Sequence, residues 1–171
     1  MSDAFVRQRY DYHVWANDRL LDRLEELPEA VWHAGLQSVF PSISECFAHI
    51  YQFDRLWLSV LKGIPNADIF PRLPAWREEA LGRSLKEMRD LFAAAAGEFR
   101  SWLEGQADLT RPLTIEHPRF GTLETRYADI VEHVVNHGTY HRGNIAAMIR
   151  QQGHAGTSTD YVFYLMEKGR S

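Results

Sequence analysis

The chain has one cysteine, Cys46, so it can form no intrachain disulfide and no multi-cysteine zinc site. It has no run of 18 apolar residues, so no span long enough to cross a bilayer is expected. The opening stretch MSDAFVRQRYDYHVW carries charges throughout and has no apolar centre, so a secretory signal is not expected and a cytoplasmic location is. An excess of basic charge is also missing: 19 Lys and Arg are scattered among 23 Asp and Glu, for a net charge of −4. Nucleic-acid binders gather cations on one face to displace counterions from phosphates, so this class of partner is disfavoured. Internal repeats and a linker that would divide the chain are absent too, and residues 1–171 read as a single domain.

What is abundant is histidine, eight residues, together with five tryptophans. Imidazole is the side chain best suited to metal binding and to proton transfer near neutrality, so the placement of those histidines carries the functional argument.

Hydrophobic spacing predicts four long helices. The first runs from about Ser2 to Glu26, with Val14, Leu20, Leu21, Leu24 and Leu27 forming a stripe that Pro28 ends. The second starts after Pro41, with Ser42 and Glu45 spaced as a capping box, and continues through Ile43, Phe47, Ile50, Phe53, Trp57 and Val60 to Gly63. A loop containing Pro65, Pro71 and Pro74 leads to a third helix between Ser84 and Gly105, again opened by a capping pair, Ser84 and Glu87. Ile115, Phe120 and Leu123 flank a turn at Gly121, which predicts a short hairpin over Leu113 to Thr125. The fourth helix is expected from Tyr127 to Gln151, stopped by Gly153. A small amphipathic helix follows at Asp160 to Glu167. The fold class is all-α, a four-helix bundle whose inward side chains supply both core and site.

In the fourth helix His133, His137 and His141 are spaced four apart. At 3.6 residues per turn each neighbouring pair shares a face and can approach one ion, but the outer two diverge by roughly 80°. Spacing therefore leaves two choices, 133/137 or 137/141. A third ligand must come from another helix, and His49, in the apolar stretch FAHIYQF, is the natural candidate. His33 and His117 fall in expected loops, and His154 follows the helix-ending glycine. His13 shares the buried stripe of the first helix with Asn17. Gly138 follows His137 where the zincin motif has a glutamate, so no general base is supplied there. Cys46 lies one turn before His49, but a lone cysteine in a core helix is ordinarily an inert buried thiol. Tyr140 and Arg142 flank His141 and are expected to face outward.

Four segments are similar to the DinB/YfiT family of four-helix-bundle metalloproteins: WANDRLLDRL (Trp15 to Leu24), SISECFAHIYQFDRLWL (Ser42 to Leu58), HVVNHGTYHRGNIAAMIRQQG (His133 to Gly153) and STDYVFYL (Ser158 to Leu165). The resemblance spans nearly the whole chain, and the His133 segment is its most specific part. It implies one divalent ion per chain held by His49, His137 and His141, and it implies a homodimer. Asn144 stands where many relatives carry glutamine. Three neutral imidazoles leave at least one position open on the ion, the arrangement of catalytic rather than structural sites; zinc or nickel is expected, with cobalt or iron also compatible. Characterised relatives use low-molecular-weight thiols, so the function implied is a metal-dependent S-transferase that activates a small thiol for attack on an electrophile, in detoxification or stress. Competing readings are a non-catalytic metal-binding protein, a metal-dependent hydrolase with Glu45 as its general base, and a helical adaptor without metal.

Overall fold

A computed structural model describes residues 2–117, 119 and 121–169. The four long helices are α1 (Asp3–Glu25), α3 (Ile43–Leu61), α6 (Leu85–Glu104) and α7 (Tyr127–Gln151). They contact one another as a closed ring, α1 and α3 each packing on both α6 and α7. Each of the first three is opened by a serine whose hydroxyl accepts an otherwise unpaired N–H: Ser2 from Phe5, Ser42 from Glu45 and Ser84 from Glu87. Only Ser84 and Glu87 complete the reciprocal capping box. At Ser42 the expected return bond is missing, because the Glu45 carboxylate accepts from Arg77 at 2.8 Å instead.

The expected proline loop is mostly helical. It holds α4 (Asn66–Ile69), a 3-10 turn (Phe70–Arg72) and α5 (Leu73–Ala80), and α5 packs against α3. Pro65 caps α4, and Pro71 and Pro74 fall in the first turns of their segments, where a missing N–H costs nothing. A further short helix, α2 (Ala30–His33), contains His33, which had been expected in a loop.

The hairpin pairs β1 (Pro112–His117) with β2 (Gly121–Arg126) antiparallel, Ile115 opposite Leu123. Gly121, at φ +78°, is the first residue of β2 rather than the turn itself; Phe120 lies outside the described residues. Helix α8 (Tyr161–Lys168) docks on α1, where Trp15 Nε1 and Arg19 both donate to Glu167 and Tyr12 stacks edge-on to Tyr161.

The interior between the long helices is divided. One apolar cluster includes Leu20, Leu21, Leu24, Phe47, Ile50, Met88, Ile145 and Met148. A second includes Val6, Tyr10, Leu58, Leu61, Phe99, Leu103, Val131 and Val134. Along every long helix these residues fall on opposite sides of a middle segment, and in α1, α3 and α7 that segment is polar: His13 and Asn17, Asp54, and Gly138 to Arg142. On α7 His137 and His141 stand at this segment, and on α3 His49 lies five residues before Asp54, within the span of the first cluster.

Candidate metal centre

His49 projects from the middle of α3, and His137 and His141 from successive turns of α7, the helix with which α3 is in contact. Nε2 of His137 lies 3.2 Å from Nε2 of His49 and 3.1 Å from Nε2 of His141. One ligand atom from each ring falls within 4.8 Å of the others, and this is the one group of three or more His, Cys, Asp or Glu side chains among the described residues so arranged that it could hold an ion. Two imidazole nitrogens bound tetrahedrally at about 2.0–2.1 Å from one ion stand about 3.3–3.4 Å apart. The two observed separations are within a few tenths of an ångström of that, so the donor set fits a divalent ion. A neutral imidazole has one N–H and one ring lone pair, so holding an ion here would require the lone pair of each ring to lie on Nε2.

The local electrostatics favour the neutral rings that a metal requires. Burial, then the neighbouring His141 and the Arg77 guanidinium, hold His49 down to about 4. Burial together with His141 and His49 holds His137 down to about 3, and burial lowers His141. Phe53 packs on both His49 and His137, with ring centroids 4.5 and 5.1 Å away, and Phe40 lies 5.0 Å from His49 and 5.4 Å from His141. These two rings wall the triad with apolar surface. Orientation from behind is uneven. The Asn144 amide stands 3.5 Å from Nδ1 of His141; with its oxygen turned inward it accepts from that nitrogen and leaves Nε2 unprotonated. Nδ1 of His137 is buried with no partner among the described residues.

Of the two pairs that spacing leaves open, 137/141 is the one that the structure brings together with His49. The His133 ring packs edge-on to Trp57 at 4.6 Å and stands 6.1 Å from that of His137, outside the triad. Cys46 is fully buried, its thiol is pushed up to about 12 by burial, and its Sγ lies 3.7 Å from the carbonyl of His141. His33 bonds Ser44, His117 closes β1, and His154 follows α7. Tyr140 is exposed as expected. Arg142 is not: it is 2% exposed and its guanidinium donates to Asn17 and Thr139, because α1 covers that flank of α7. Sequence reasoning missed Phe40, which precedes α3 without any periodic signal, and Asp54, a carboxylate in the apolar run FDRLWL. A concavity of about 610 Å³ between the end of α3 and β1 contains none of the three histidines; the chemistry rather than the concavity marks the site.

The fold and site define a mostly helical protein with a three-histidine cluster that could hold a metal ion. The chain belongs to the DinB family, whose pattern it matches over residues 1–170. It is 42% identical over 165 residues to Protein DinB of Bacillus subtilis (strain 168), an alignment that covers 96% of this chain and 95% of that protein.

Proposed function

We propose that this chain is a single-domain DinB-type four-helix bundle that holds one divalent ion, zinc or nickel, through His49, His137 and His141, and that it works as a metal-dependent transferase of a low-molecular-weight thiol. The observation that carries the reading is the convergence of three Nε2 atoms from two helices, with contacts of 3.1 and 3.2 Å. The protein's own part is to present three rings that stay uncharged at neutral pH and to shield them with Phe40 and Phe53. When bound, the ion supplies Lewis acidity, which favours the deprotonated form of a thiol or of water at neutral pH. No nucleophile from the protein is required, in keeping with the buried, inert Cys46.

A non-catalytic metal-binding role is the second reading, favoured by the absence, among the described residues, of a carboxylate from the ligand cluster. Glu45, the hydrolase candidate, is held by Arg77, and this weighs against hydrolysis. A homodimer in the cytoplasm completes the proposal; α8 leaves Val162, Phe163, Leu165 and Met166 exposed, an apolar surface suited to cover by a second copy. The test is conjugation of small thiols to a fluorogenic electrophile by zinc- or nickel-loaded protein. Turnover above background that disappears in His137→Ala supports the transferase. Stoichiometric metal without turnover across a broad panel of thiols and electrophiles favours the non-catalytic role.

A further inference from the structure

Arg142 immediately follows His141, and Gly138 immediately follows His137, so these two face a flank of α7 rotated about 100° from the triad, with Thr139 further round the same side. On that flank lies a buried polar network drawn from three helices. Arg142 is 2% exposed, His13 1%, Asn17 2% and Asp54 6%. The proton directions follow from the donors present. A guanidinium can only donate, so Nδ1 of His13, 3.3 Å from Nη1 of Arg142, accepts. Oδ2 of Asp54, an acceptor 3.0 Å from Nε2, then places the His13 proton on Nε2, so Nδ2 of Asn17, a donor 3.2 Å from the same nitrogen, makes no bond to it in this arrangement. Nη1 of Arg142 also donates to Oδ1 of Asn17 at 3.0 Å, and Nη2 to Oγ1 of Thr139 at 2.8 Å. A directional chain therefore runs from α7 through α1 to α3.

Stability is a poor reason for such a chain. A buried ion pair costs so much desolvation that apolar replacements of similar volume are often as stable or more so. What directional bonds supply, and leucines do not, is a defined spacing. The anchors are interleaved with the triad: Gly138, Thr139 and Arg142 with His137 and His141 on α7, and Asp54 five positions after His49 on α3. Gly138 lets the His13 ring approach so closely that a β-carbon there would lie 2.4 Å from its Cε1.

We infer that Arg142, His13 and Asp54 are positioning residues for the histidine triad, holding α3 and α7 at the spacing that brings the three Nε2 atoms together. The inference rests on the metal-binding reading and adds to it a determinant of affinity that touches no ion.

The test is Co²⁺ titration of the wild type and of the triple variant His13→Leu, Asp54→Leu, Arg142→Met, with helicity and thermal stability measured alongside. The triple variant removes every unpaired charge, so it separates stability from position. Expected is a folded variant that binds Co²⁺ about 10–100-fold more weakly, as loss of orienting partners typically does, with altered visible absorption of the bound ion. Wild-type affinity and spectrum in the folded variant would overturn the inference. Arg142→Lys, which keeps the charge but loses the planar fork that spans His13, Asn17 and Thr139, serves if the triple variant does not fold, and must weaken Co²⁺ binding in the same sense; unchanged binding there also overturns it. Failure of the wild type itself to bind Co²⁺ would instead strike down the metal reading, and this inference with it.

Discussion

The His13 ring fills the space beside Gly138 that any larger residue's β-carbon would occupy, with Cε1 and Nδ1 at 2.4 and 2.5 Å from that position and Nη1 of Arg142 at 2.7 Å. Gly138→Ala must therefore displace a buried ring and a buried guanidinium together, and is expected to destabilise the fold by about 1–3 kcal/mol. Gly143, five residues on in the same helix, has nothing within 4 Å of its β-position. There alanine is expected to stabilise by about 0.5–1 kcal/mol, the ordinary helix-interior difference. Urea denaturation of the two variants should give opposite signs; two shifts of the same sign would contradict the packing described for His13.

Acid should weaken the metal-free protein earlier than carboxylate titration alone would. In the unfolded chain histidine titrates near about 6.5, whereas in the folded protein His49 and His137 are held down to about 4 and about 3. Between those limits the unfolded state binds more protons, so folding stability falls as pH falls. Above about 6.5 both states hold these rings neutral and the contribution is constant. Urea titrations of metal-free protein between neutral pH and about pH 5 are expected to show declining stability, with a shallower decline in His137→Ala. A flat profile in that window would show the rings to be ordinary.

Cys46 is expected to behave as packing. Its thiol, pushed up to about 12 and fully buried, should resist a thiol-reactive disulfide reagent in native protein and react promptly in denaturant. Cys46→Ala should leave the metal stoichiometry unchanged. Rapid reaction of the native thiol, or metal loss in the variant, would place the sulfur in the site.

Much of this architecture is legible in the residues, for a physical reason. Histidines at four-residue spacing on α7 announce a shared face for each neighbouring pair, and the capping pair Ser84 and Glu87 marks the start of α6 within a residue. What escapes is decided by partners distant in sequence. Nothing local to Arg142 reveals that Asn17 and His13 receive it, so a lone arginine on a helix reads as solvated. Glu45 has the spacing of a capping box, yet Arg77 of α5 competes for its carboxylate and wins. The prolines between α3 and α6 look like loop markers because their position within a helical turn, which makes them harmless, depends on where that turn begins.

The most direct test of the central claim is elemental analysis of untagged protein, after reconstitution with zinc or nickel and removal of loosely held ions, beside His49→Ala, His137→Ala and His141→Ala. The account predicts about one equivalent of metal per chain in the wild type, lost in His137→Ala, whose ring contacts both others, and reduced or lost in the remaining two. A wild-type chain that retains no metal, or one whose bound metal survives all three substitutions, would contradict it.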